Sequence, residues 1–124
     1  MDTGRHLALG ETGEDLACAE LERRGYAVLE RRYRTRLGEI DIVALDGAAL
    51  VFVEVKTRRT ARHGSPAEAV TPAKRRRLAL MAADYLARRR PHACACRFDV
   101  VAVTIGADGS TVVRVIPSAF SVGE

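Results

Sequence analysis

The sequence predicts an α/β domain in which a mixed five-stranded sheet is flanked by helices, with elements in the order αβββαββ. Three stretches carry this reading. The run from Gly38 to Thr57 (GEIDIVALDGAALVFVEVKT) consists of two strand-like segments joined at Asp46-Gly47, a dipeptide suited to the positive φ angles of a tight hairpin turn. Residues 5–24 place Leu9, Gly13, Leu16, Ala17, Glu20 and Leu21 at helical spacing, the mark of an amphipathic helix. Thr71-Pro72 starts a second helix, with Thr as N-cap and Pro at the first helical position.

In chain order, the first helix stops at Gly25, which fits a left-handed C-terminal cap. Gly10 and Gly13 weaken its early turns but allow close packing on a sheet. Tyr26 to Arg34 (YAVLERRYR) is the first strand, with Val28 and Tyr33 as strand formers. Thr35-Arg36-Leu37-Gly38 turns the chain into the hairpin. Arg58 to Glu68 is a polar, basic loop around Gly64-Ser65-Pro66. The second helix shows the stripe Leu78, Met81, Ala82, Tyr85 and Leu86 and closes before Pro91. A helical crossover makes the fourth strand, Arg97 to Ile105, parallel to the third. Ala107-Asp108-Gly109 leads to a fifth strand, Thr111 to Ile116, ended by Pro117.

Alternate residues of an extended strand share a face. Glu39, Asp41 and Val43 therefore face one way, and Ile40, Ile42 and Ala44 the other. Phe52, Glu54 and Lys56 oppose Val51, Val53 and Val55. A loop of two or four residues sets Asp41 on the face of Glu54, as a direct or diagonal neighbour. Two carboxylates within a Val/Ile-rich sheet need positive charge between them. A divalent cation and the Lys56 ammonium meet that need. Hard oxygen ligands suit Mg²⁺ or Mn²⁺, which activates water and stabilises charge on a phosphate under in-line attack. The bland alternative is a buried ion pair between Lys56 and one acid, with the other acid solvated at a strand end.

The runs GEIDIVA, VFVEVKTR, GSPAEAVTPAKRRRL and RFDVVAV, in this order, resemble the uncharacterised YraN-type family of small bacterial proteins. The likeness extends from about Gly10 to Ala119-Phe120. That family is in turn similar to the PD-(D/E)XK nucleases and to archaeal Holliday-junction resolvases. The resemblance implies a restriction-endonuclease-like core. It sets Asp41, Glu54 and Lys56 at the superfamily's motif, and Glu14 at an acidic position on the first helix. Ile40 stands where a proline often precedes the aspartate. A homodimer is implied by the same likeness.

The 124 residues are read as one domain, 1–124, with 48% hydrophobic and 29% charged residues, ordinary for a globular chain. No apolar run reaches membrane-spanning length and no signal-peptide pattern opens the chain, so the expected location is cytoplasmic. Three cysteines, Cys18, Cys94 and Cys96, do not make a disulfide framework. His92-Ala-Cys94-Ala-Cys96 lacks a second ligand pair at zinc-like spacing.

Charge is unevenly spread. Residues 1–22 hold six acids against one arginine, whereas residues 71–90 hold seven basic residues against Asp84. Arg31, Arg32, Arg34 and Arg36 form a second basic group, and Lys56, Arg58, Arg59 and Arg62 a third. Such basic segments are the footprint of a polyanion binder. Arg58, Arg59, Lys74, Arg75 and Arg76 are the candidate phosphate contacts. Lys74 also stands beside the apolar stripe near the helix start, in position to aim back at the sheet edge. His63 is a candidate base on an exposed loop, and Asp99 a candidate partner of Arg97. Three functions compete: a Mg- or Mn-dependent nuclease acting on DNA, branched or damaged; a nucleic-acid-binding module without efficient cleavage; and an adaptor whose basic surface meets acidic proteins.

Overall fold

The computed structural model describes residues 9–59, 70–89 and 95–120. Helix α1 (Leu9–Arg23) precedes strands β1 (Ala27–Thr35), β2 (Gly38–Asp46) and β3 (Ala49–Arg58). Helix α2 (Pro72–Arg89), β4 (Cys96–Ile105) and β5 (Thr111–Phe120) follow. The sheet order is β1-β2-β3-β4-β5. Only β3 and β4 are parallel, as the crossover through α2 requires. This is the α/β, five-stranded mixed sheet that the sequence predicts, and it is consistent with a restriction-endonuclease-like fold. His63, Gly64-Ser65-Pro66, Pro91, His92 and Cys94 lie outside the described residues.

Local chemistry explains the boundaries. Gly25 takes φ +94°, and the Tyr26 N–H reaches the Leu21 carbonyl at 3.0 Å, so α1 ends in a Schellman-type cap. At the start of α2 the Lys74 N–H donates to Thr71 Oγ1 at 3.2 Å, which supplies one of the orphan donors of a helix start with an acceptor. Gly47 (φ +60°) and Ala48 form the two-residue loop between β2 and β3, and Asp46 pairs with Ala49.

Each helix covers one face of the sheet. Leu78, Met81 and Tyr85 of α2 pack with Val43, Phe52 and Val100. Ala17, Cys18 and Leu21 of α1 pack with Ile42, Val51, Val53, Val101 and Val103. Full burial stabilises by about 1.5–3 kcal/mol for each large side chain, so both faces are anchored independently.

Two expectations need correction. Ile40 joins the α2-side core with Val43 rather than the α1 side with Ile42 and Ala44. The β2–β3 ladder ends at Ile42–Val53, so the strict two-residue alternation is lost at Asp41. Likewise β5 does not stop at Pro117 but continues to Phe120. It is an edge strand, where proline's missing N–H is tolerated, and a register shift with Ser118 at φ +51° absorbs the irregularity.

Candidate carboxylate–lysine site

Where β2 and β3 part, the side chain of Asp41 takes over the role of the ladder. Its Oδ2 accepts the Val55 N–H at 2.8 Å. The two-residue loop sets the register as far as Ile42–Val53, and Asp41 and Glu54 are the next residues on each strand. Glu54 lies on the face of Phe52, towards α2, and is only 4% exposed. Lys74, one turn into α2, brings its Nζ to 2.6 Å from Glu54 Oε2. Lys56 is half-buried two residues beyond Glu54, on the same face by alternation.

Glu14 enters from the opposite helix. A Cβ at neighbouring Gly13 would lie 1.9 Å from Thr57 Oγ1. Helix α1 thus crosses the end of β3 at a distance that only glycine allows. Glu14, 8% exposed, accepts from Arg32 Nε at 2.9 Å and Arg31 at 3.2 Å. Arg32 has φ +54°, an uncommon backbone state outside glycine, and its guanidinium holds Glu14 together with that of Arg31.

These placements show in the titration of Asp41. Burial, and next the negative charge of Glu54, push its carboxyl up to about 7, with Glu14 adding in the same direction. The Val55 N–H and the Lys74 ammonium act against that rise. Such perturbation marks functional sites more often than ordinary surface.

Among the described residues, no three His, Cys, Asp or Glu side chains converge closely enough to make a metal cage. Asp41 and Glu54 are the available pair. Each engages one oxygen with a protein donor, and no fully buried oxygen lacks a partner, so the remaining oxygens keep solvent access. A pair of carboxylates suits Mg²⁺, which is held by one or two carboxylates and retains several waters.

The candidate phosphate-binding residues separate into different environments. Arg76 and Arg59 are exposed and Arg58 is half-buried at the end of β3. Arg75 turns inward: its Nε donates to the Val70 carbonyl at 2.9 Å and its guanidinium lies 5.0 Å from the Phe120 ring centre. Lys74 belongs to the carboxylate cluster. Asp99 is fully buried and ties Arg97, Tyr26 and the Ser118 N–H together at 2.8–3.0 Å. Arg97 also reaches Asp46 at 3.0 Å. Burial, then the charge of Asp99, pushes the Tyr26 hydroxyl up to about 12. Sequence reading found the Arg97–Asp99 pair but not Tyr26, whose partner is 73 residues away.

Comparison with known proteins agrees over most of the chain. The uncharacterised protein family UPF0102 matches residues 13–103. A UPF0102 protein of Symbiobacterium thermophilum is 54% identical over 112 residues, covering 90% of this chain and 95% of that one. Another, from Rhodococcus opacus, is 50% identical over 101 residues, 82% and 86% of the two chains. A third, from Geobacter sulfurreducens, is 50% identical over 112 residues, 90% and 88%. The matched span holds the whole cluster, from Glu14 on α1 to Lys74 on α2, and the chain belongs to the uncharacterised protein family UPF0102.

Proposed function

We propose that this chain is a metal-dependent nuclease that binds DNA and hydrolyses its phosphodiester bonds. The observation that carries the reading is the nearness of Asp41 and Glu54 where β2 and β3 part, with Lys74 paired to Glu54 and Lys56 two residues along the same strand. Asp41 and Glu54 hold the ion, and the Val55 N–H fixes the Asp41 carboxylate in orientation. When bound, Mg²⁺ or Mn²⁺ supplies Lewis acidity and a nucleophilic water at neutral pH. Lys56 orients that water or neutralises charge developing on the phosphate. Lys74 balances Glu54. Arg58, Arg59 and Arg76 hold the nucleic-acid backbone.

The short Lys74–Glu54 pair also supports a second reading. An ammonium already neutralises one carboxylate, so the site can stand as a nucleic-acid-binding module that does not cleave. Purified protein assayed with Mg²⁺ or Mn²⁺ on duplex, single-stranded, flapped and four-way DNA separates the two. The nuclease reading expects millimolar metal to raise the melting temperature, Asp41→Asn to abolish both that effect and cleavage, and Lys56→Ala to keep the metal but lose the rate. No metal binding by calorimetry, with Asp41→Asn equal to wild type on every substrate, overturns it in favour of the module.

A further inference from the structure

A second feature lies beside the carboxylates on the α2 side of the sheet. The β1–β2 turn and the C-terminal half of α2 enclose a cleft of about 690 Å³. Its floor includes Tyr33 and Met81, and its walls carry Arg34, Arg36, Leu37, Leu80, Arg88 and Arg89. Among the described residues only three large hydrophobic side chains are exposed, and two of them, Leu37 (49%) and Leu80 (61%), face this cleft. Apolar surface gathered in one place under a charged rim marks a binding surface more than scattered exposure does.

The rim carries four arginines, set against Asp84 in the lining and Glu39 and Glu30 bonded to it, which leaves one positive charge in excess. Arg34 pairs with Glu39, Arg88 with Asp84 and Arg89 with Glu30. These are solvent-facing pairs, which are weak, so an incoming phosphate can exchange for the carboxylates. The Arg36–Leu37 tip is held in place: Thr35 Oγ1 accepts the Leu37 N–H and donates to the Gly38 carbonyl, both at 3.0 Å.

Distance ties the cleft to the carboxylates. Asp41 lies three strand positions along β2 from Gly38, which follows the Leu37 turn, roughly 10 Å at the usual rise. Leu80 follows Lys74 by six helical positions, roughly 9 Å. Two separate elements thus place the cleft on the order of 10 Å from the site. Its volume matches a small-ligand pocket, room for a few bases and too little for a duplex.

We infer that this cleft binds an unpaired DNA strand next to the scissile phosphate, with Leu37 and Leu80 against the bases and the arginines on the phosphates. Arginine planes in a positively charged groove contribute to single-strand recognition through the phosphates and through cation–π contact with the bases. The inference rests on the carboxylate cluster being a nucleic-acid site and names its substrate class: DNA with an unpaired arm at a branch.

The test is fluorescence anisotropy in EDTA with a labelled flap, a blunt duplex of equal length, a flap whose arm is RNA, and a competing acidic peptide. Wild type binds the DNA flap at least tenfold more tightly than the duplex. Leu37→Ser/Leu80→Ser lowers flap affinity about tenfold with duplex affinity unchanged, and its melting temperature shows that the surface change leaves the fold intact. Glu54→Gln keeps the flap preference. Equal binding of flap and duplex, a double variant that keeps the preference, tighter binding of the RNA arm, or displacement of the flap by the acidic peptide each overturns the inference. Absence of binding to any DNA overturns the nuclease reading with it, whereas duplex binding without flap preference removes the cleft alone.

Discussion

Lys74 Nζ lies 2.6 Å from Glu54 Oε2, so a helix and a strand that share no local sequence are joined by one short ion pair. Glu54 is nearly inaccessible and Lys74 is one-third exposed. Lys74→Met leaves the Glu54 carboxylate buried without its cation. The expected loss is about 1–3 kcal/mol in urea unfolding, below the range for a fully buried pair because water reaches the lysine. Added Mg²⁺ should restore more stability to the variant than it adds to wild type. Equal metal effects on both proteins would separate Lys74 from the ion's site.

The titration of Asp41 gives a pH dependence in metal-free protein. Its folded-state carboxyl is raised to about 7, above its ordinary value near 3.9. The folded state therefore binds more protons than the unfolded chain between those values. The stability contribution is full below about pH 4 and is lost as pH rises through 7, with a limiting slope of about 1.4 kcal/mol per pH unit. Asp41→Asn removes this slope and is steadier than wild type above pH 7. Urea melts in EDTA from pH 5 to 8.5 measure it, and parallel curves for the two proteins would refute it.

Gly13 is under a steric demand. Gly13→Ala drives a methyl to within 1.9 Å of Thr57 Oγ1, which forces α1 outward and costs about 1–3 kcal/mol. Thr57→Ala removes the obstructing hydroxyl, so the double variant recovers part of the loss. A double-mutant cycle by thermal melting reads the coupling. Additive effects would mean that the helix and strand do not meet as described.

The Tyr26–Arg97–Asp99 network predicts stability without any effect on the carboxylate site. Tyr26→Phe removes one donor from a fully buried carboxylate and costs about 1–2 kcal/mol. Arg97→Met removes its charge partner and costs about 3 kcal/mol. Metal-induced shifts in melting temperature should match wild type in both. A changed metal response would tie this network to the site.

Phosphate contacts are read by salt. Replacing Arg58, Arg59 and Arg76 together by alanine should weaken DNA binding and flatten the log–log salt slope by about three units if each meets a phosphate. Arg75→Ala instead should cost stability, because its guanidinium bonds the Val70 carbonyl and covers Phe120. An unchanged slope in the triple variant leaves those arginines as solvated surface.

Sequence was informative wherever chemistry is local. Asp46-Gly47, Gly25 and Thr71-Pro72 mark a turn, a helix end and a helix start, because each signal acts within a few residues. Loop length sets the register as far as Ile42–Val53, and Asp41 and Glu54 follow as the next residues on each strand. The face of Ile40 could not be read, since alternation presumes an intact ladder and this one ends at Ile42–Val53. Nor could the grip of Arg31 and Arg32 on Glu14, which depends on a positive φ at Arg32 and on where α1 docks. Arg75 read as a surface cation because its neighbours in sequence are cations. Its true neighbour, Phe120, lies 45 positions away.

The sheet places its strands in the order in which the chain presents them, and this has a consequence in time. Three of the four strand pairings are closed by short turns, whereas β3–β4 waits for the crossover through α2. Closing a longer loop costs more entropy, so the β1–β2–β3 meander assembles ahead of that pairing. Asp41 and Glu54 both belong to the meander, and Lys74 arrives only with the crossover. For part of its refolding the chain therefore carries two converging acids with Lys56 near them but without the Lys74 ion pair. Refolding in EDTA should accelerate as pH falls from 8 to 5, and Asp41→Asn should refold at one rate throughout that range.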